Sequence, residues 1–330
     1  MKQQQSQSQC FWVALLSVIA ALASGAAAAD GHEKENAVQR AILVTGASSG
    51  IGRNIAETLA AQGHFVYAGA RKQADLESLN ALNNVQGIRL DVNKPEEITA
   101  AVETIAAAGR GLYGVVNNAG VAVVGPLVEL SEADMQFQMD VNLFGPYRVT
   151  KAFAPMLIES QGRVTTIGSI SGVLSSPFLG AYSMSKHAVE SFTDTLAAEM
   201  NKFGVAVSVV EPGNYDSKIG ESLARRIKRS GVDYTDSRFS NEMQQVIDRL
   251  SSNRSQYKKP DEVSAAVVDF LFSASPKRRY MVVPNAREAE ITIRQIMREM
   301  LQLNQDHPYS LTRDQLIAMM DGVLNEAAGD

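Results

Sequence analysis

Tyr182 and Lys186 stand four residues apart, the spacing that puts two side chains on one face of a helix. A phenol is a poor base near neutral pH, but an adjacent ammonium stabilises its anion and lowers its pKa. Such a pair can exchange the proton that accompanies hydride movement. With Ser169 upstream, the three residues have the spacing of a carbonyl-reducing site. The turn 45-TGASSGIG-52 lies earlier in the chain. A glycine-rich turn lets backbone amides approach a pyrophosphate and aims a helix N-terminus at it. Gly46, Gly50 and Gly52 supply conformational freedom and lack side-chain bulk, with Ser48, Ser49 and Ile51 between them. Each signal alone has a plain structural explanation: a half-buried Tyr beside a solvated Lys, or an ordinary tight turn. The two in this order point to a nicotinamide-dependent oxidoreductase.

These groups need a frame that holds them together. Short apolar runs at 41-AILVT-45, 64-HFVYAGAR-71, 87-GIRLDV-92, 114-GVVNNAG-120, 163-RVTTIGS-169, 205-VAVSVVEPG-213 and 280-YMVVP-284 read as strands. Residues 51–63, 95–108, 132–160, 182–203 and 261–274 carry helical periodicity between them. Near-continuous apolar strands alternating with helices predict an α/β fold, a doubly wound parallel sheet with helices on both faces and a single domain. The sequence places that domain at 41–284, with a polar insertion over 214–259 and a helical extension over 285–330. The insertion and tail are expected above and beside the carboxyl edge of the sheet, where ligands bind in open α/β sheets.

At the end of the second strand, an acid would hold a ribose 2′-hydroxyl, whereas an Arg suits a 2′-phosphate. Here Ala70 is followed by Arg71 and Lys72, with no acid until Asp75. NADP(H) is therefore expected over NAD(H), against the alternative of a solvated basic pair.

Further elements join these in an order and at separations that resemble the short-chain dehydrogenase/reductase family. They are Asp91-Val92, Asn117-Asn118-Ala119-Gly120, Asn142 in 140-DVNLFG-145, Ser169 in 167-IGSISG-172, 182-YSMSK-186 and Pro212-Gly213. The resemblance covers about residues 41–284. It implies that Tyr182 is the general acid/base and that Ser169 bonds the substrate oxygen. Lys186 would bind the nicotinamide ribose and lower the Tyr182 pKa, and Asn142 would hold a water linking Lys186 to solvent. Asp91 and Val92 would contact adenine, and Asn118, Ala119 and Gly120 would line the central stretch of the cofactor. Pro212 and Gly213 would face the nicotinamide. The family's usual Thr after that pair corresponds to Ser217, which keeps a hydroxyl for the carboxamide. Ser171 is a decoy, because Ser169 has the family separation from Tyr182.

The insertion, together with 277-KRRYMVVPNA-286, further resembles the retinol- and steroid-type reductases of the family. With the apolar segments 121-VAVVGPL-127 and 173-VLSSPFL-179, this favours a lipophilic alcohol/carbonyl substrate. A cofactor-binding regulatory or scaffold protein of the same fold is the alternative from another functional class. A sugar-nucleotide epimerase or dehydratase fits less well, because its glycine turn usually has a different spacing.

A net charge of −5 offers no basic footprint, which argues against nucleic acid as a partner. Lys2, the apolar run 11-FWVALLSVIAALA-23 and the small residues up to Ala29 describe a secretory signal peptide. Residues 1–29 would then be removed, leaving 30–40 as a linker. A periplasmic or secreted protein is expected, with a membrane anchor through residues 11–29 as the alternative. The sole cysteine, Cys10, lies in that segment, and the four histidines are scattered, so no metal site is expected. A homo-oligomer is compatible with all of this.

Overall fold

In the computed structural model, which describes residues 39–230, 234–251 and 256–329, β1 (Ala41–Val44) is buried along its whole length. Successive strand side chains point to opposite faces. Ile42 and Val44 therefore join one apolar core and Ala41 and Leu43 the other. The elements that follow are α1 (Gly50–Ala61), β2 (Phe65–Ala70), α2 (Gln73–Asn80), β3 (Val85–Arg89), α3 (Pro95–Ala107), β4 (Gly114–Asn117) and α4 (Glu132–Met139). After a turn of π-helix at Asp140–Phe144 come α5 (Gly145–Glu159), β5 (Arg163–Ile167), α6 (Gly180–Met200), β6 (Ala206–Pro212) and α7 (Ile219–Ser230). The described chain ends with α8 (Ser240–Ser251), α9 (Asp261–Phe272), β7 (Arg279–Val282), α10 (Ala286–Leu303) and α11 (Arg313–Gly329).

The strands form one sheet in the order β3-β2-β1-β4-β5-β6-β7, and every pairing is parallel. Chain order reverses between β1 and β4, which makes their carboxyl ends the switch point at which such sheets bind ligands. One face is covered by α1, α2 and α9, through Ile55, Leu59, Leu79, Val267 and Phe270. The other is covered by α3, α5 and α6, through Ile98, Ile105, Phe153, Leu157 and Ala197. From Gln39 onward the chain forms one unit, the doubly wound architecture expected from the alternating pattern.

Three local expectations need correction. The third strand ends at Arg89, so Asp91 and Val92 lie in the loop beyond it. Helix α2 forms in a stretch whose sequence carries little helical periodicity, because it buries only Leu76 and Leu79. The single helix expected over 132–160 is broken by the π turn. Pro146, the second residue of α5, has no N–H to continue the ladder, and π turns of this kind often mark functional positions. The proposed signal segment lies outside the described residues. Among the described residues, no helix is long and apolar enough to cross a membrane.

Candidate active site

A cleft of about 510 Å³ opens at the switch point, and every residue given a catalytic or cofactor-binding role from the sequence lines it. Its inner end is the turn between β1 and α1. Ser49 precedes α1 in extended conformation and its side chain makes no capping bond, so the N–H groups of the first helical turn face the cleft. Gly46 has φ +65°, and a Cβ there would lie 2.8 Å from the Ala119 Cα. A Cβ on Gly52 would meet the Asn118 side chain and the Gly46 carbonyl. Only glycine lets the three segments close, and this cradle of amides fits a pyrophosphate.

Thr45 and Asn118 lock the cradle from behind. The Thr45 Oγ1 accepts from the amides of Asn118 and Ala119, each at 3.0 Å. The Asn118 Nδ2 donates to the carbonyls of Thr45 at 2.9 Å and Gly46 at 3.1 Å. Thr45 does more than open the glycine turn, because its hydroxyl ties β1 to the end of β4.

At the rim, Arg71 Nη1 lies 3.7 Å from Asp91 Oδ2, and its side chain is 64% exposed. The guanidinium is thus held loosely over the end of β2, free to turn toward an anion. Asp91 Oδ1 accepts from the Asn93 amide, while Val92 is buried beneath.

The reactive end is built by β5 and α6. Ser169 caps a short 3₁₀ turn, and its Oγ accepts from the Ser171 amide at 3.1 Å. Ser171 therefore helps orient Ser169, although it also reaches the cleft. Tyr182 lies in the first turn of α6, hydrogen-bonded to Ser169. Burial pushes its phenol up, and the Ser169 bond opposes that. The Lys186 Nζ donates to the Ile167 carbonyl at 2.8 Å and lies 5.7 Å from the centroid of the Tyr182 ring. Burial brings the Lys186 ammonium down to about 8, with the charge of Glu190 opposing. The depression of the Tyr182 pKa implied for Lys186 is thus not the balance found here: the phenol sits above its ordinary value.

Asn142 sits in the π turn, 2% exposed, and clasps Val121 through both its amide and its carbonyl. Its Nδ2 also donates to Ser185 Oγ at 3.1 Å, and Ser185 donates to the Tyr182 carbonyl at 2.7 Å. The π turn is therefore pinned to α6 beside Tyr182 and Lys186. His187 points away, its Nδ1 at 2.9 Å from the Ser183 carbonyl. Among the described residues, no cluster of His, Cys, Asp or Glu could hold a metal.

The outer wall holds residues that sequence reasoning had missed. Ile219 and Leu223 of α7 line it, as do Glu288 and Ile291 of the C-terminal extension. Glu288 Oε2 accepts from the Asn214 amide at 2.8 Å, beside Pro212-Gly213. Asn285 and Glu288 also form a reciprocal cap on α10: the Asn285 Oδ1 accepts from the Glu288 amide, and the Asn285 Nδ2 donates to Glu288 Oε1. The Asn-x-x-Glu spacing after the last strand was a readable signal for that helix start.

The profile of the short chain dehydrogenase family matches residues 40–228. The chain belongs to that family. It is an NAD(P)-dependent dehydrogenase/reductase acting on alcohol or carbonyl groups. The uncharacterized oxidoreductase YbbO from Escherichia coli K12 is 39% identical over 188 residues, covering 56% of this chain and 70% of that one. An NADPH-dependent 3-dehydrocapnine reductase from Ornithobacterium rhinotracheale is 34% identical over 255 residues, covering 74% and 88%. A crystal structure of a short chain dehydrogenase/reductase from Burkholderia phymatum in complex with NAD superposes with a TM-score of 0.69 at 25% identity, covering 83% of this chain and 98% of that one.

Proposed function

We propose that the protein reduces a lipophilic aldehyde or ketone with NADPH, or oxidises the matching alcohol with NADP, using Tyr182 as general acid/base. The observation that carries this reading is the bonded Ser169–Tyr182 pair, with the Lys186 ammonium behind the Tyr ring. The bound nicotinamide supplies or accepts the hydride. Ser169 donates to the substrate carbonyl oxygen and polarises it. Tyr182 delivers its hydroxyl proton to that oxygen as the carbonyl carbon gains the hydride. A neutral phenol suits the reducing direction, and burial holds Tyr182 in that form. Lys186 would hold the nicotinamide ribose, and Asn142 would hold a water that links Lys186 to solvent and so completes the relay that returns a proton to Tyr182.

Arg71 at the rim, with no acid at the end of β2, supports NADPH as the partner. The NADPH-dependent relative agrees with that, whereas the structural neighbour carries NAD. Leu174, Leu179, Ile219, Leu223 and Ile291 give the outer cleft an apolar lining, which supports a lipophilic substrate. Residues 1–29 support export to the periplasm or medium, with cleavage after Ala29. Mass spectrometry of the native protein tests that: a mature chain starting near Asp30 agrees, and an intact N-terminus contradicts it. Screening the purified protein with NADPH and NADH against aldehydes, ketones and quinones of increasing chain length tests the activity. Faster turnover with longer apolar chains and with NADPH is the expected result.

A further inference from the structure

Glu190 lies one turn beyond Lys186 on α6, on the same face. Both of its carboxylate oxygens are buried, and neither has a well-aligned hydrogen-bond donor. They press against the turn that carries Ser169. A Cβ on Gly168 would lie 3.1 Å from Glu190 Oε1, and one on Gly172 would lie 2.7 Å from it. Glu211, directly before Pro212-Gly213, meets Glu190 carboxyl to carboxyl and is 5% exposed. Arg279 of β7 approaches both, with Nη2 at 3.3 Å from Glu190 and Nε at 3.6 Å from Glu211. That guanidinium makes its best contacts with Asp194, at 2.7 and 3.1 Å, and Arg278 reaches Asp194 at 3.5 Å. The groups facing Glu190 are therefore Lys186 and Asp194 on its own helix, Glu211 on β6 and Arg279 on β7.

We propose that Glu190 is a positioning residue, linked to Glu211, which supports the Ser169 turn and holds the charge of Lys186 from beneath the active site. It touches neither substrate nor cofactor. Two carboxyls this close cannot both ionise freely, so they share a proton. Burial and the neighbouring Glu211 push Glu190 up to about 8. As Glu190 ionises, its anion one turn below Lys186 lets the ammonium keep its proton to higher pH, and with it the grip on the nicotinamide ribose.

The inference rests on the assignment of Lys186 to that ribose, so the test includes Lys186→Ala. NADPH affinity of the full chain is measured by cofactor fluorescence from pH 6.5 to 9.5. Glu190→Gln keeps the shape and the contact with Glu211 but cannot ionise. It should bind NADPH within about twofold of wild type at pH 6.5 and at least threefold more weakly at pH 8.5. Glu211→Gln should act in the opposite sense, because Glu190 then ionises earlier and the affinity survives to higher pH. A purely structural role would lower affinity equally at every pH, and that result, or superimposable curves, overturns the proposal. If Lys186→Ala binds NADPH as wild type does, the ribose assignment fails and the inference fails with it. A loss in Lys186→Ala combined with a wild-type curve for Glu190→Gln removes the inference alone. The apoprotein gives a readout without cofactor. Between pH 4.5 and 8 the folded state retains the Glu190 proton that the unfolded chain has released, so thermal stability should fall as pH rises. Glu190→Gln should flatten that slope, and an unchanged slope contradicts the proposal.

Discussion

The Lys186 ammonium donates to the carbonyl of Ile167 at 2.8 Å, two residues before Ser169 on the same stretch of chain. The cation and the serine are thus moored to one end of β5, although they come from different elements. Tyr182 is set between them by the first turn of α6. A shift at the end of β5 moves all three partners together.

This mooring gives Lys186 a specific pH behaviour. Its buried ammonium loses its proton near 8, whereas the unfolded chain keeps it to about 10.5. Cofactor affinity should therefore decline as pH rises through 8. Over the window from 8 to 10.5 the unfolded state binds the extra proton, so stability of the apoprotein should rise with pH. Lys186→Met should remove both trends, as followed by thermal unfolding across that range.

Cofactor choice should turn on Arg71. Replacing it with Ala removes the cation nearest the end of β2 and should raise the KM for NADPH by about tenfold, the scale of one charge-assisted hydrogen bond. The KM for NADH should change little. Ala70→Asp combined with Arg71→Ala should then move preference toward NADH. Steady-state kinetics with both cofactors checks this, and equal use of the two by wild type would count against the assignment.

Gly52→Ala should weaken cofactor binding by forcing the turn apart locally, while the sheet and its helices stay in place. The added methyl meets the Asn118 amide and the Gly46 carbonyl, which together shape the phosphate cradle. Calorimetric titration should show NADPH affinity at least tenfold weaker, with unchanged circular dichroism.

Glu288 joins the C-terminal extension to the nicotinamide-facing turn through the Asn214 amide. Glu288→Ala should raise the KM for the cofactor several-fold, on the scale of one lost hydrogen bond to a charged group. Glu288→Gln keeps an acceptor and should recover most of the loss. Kinetics of the two variants side by side separates a role in the turn from a role in capping α10 alone.

The sheet was legible because its central strands are buried and mostly apolar on both faces, the pattern of a covered parallel sheet. The site was legible because its chemistry sits at fixed positions on those elements: the glycine turn after β1, Ser169 after β5, and Tyr182 and Lys186 on one helix face. The π turn at Asn142 was not, since apolar periodicity runs through it and only the missing N–H of Pro146 hints at a break. Helix α2 escaped notice because two leucines make a weak stripe. Glu288 and Ile291 were missed for a different reason. They lie far along the chain and enter the cleft only through the return of the tail across the sheet edge. The meeting of Glu190, Glu211 and Arg279 is likewise a product of tertiary structure, one residue from each of α6, β6 and β7.

The central claim is that the Tyr182 hydroxyl supplies the proton which accompanies hydride transfer. Tyr182→Phe removes that proton and little else. In single-turnover reduction of a carbonyl substrate by prebound NADPH, the variant should lose on the order of 10²–10⁴-fold in rate. Its NADPH dissociation constant should stay within about twofold of wild type, well inside the 1.4 kcal/mol that a tenfold change represents. A Tyr182→Phe variant that reduces the same carbonyl at the wild-type rate would contradict the account.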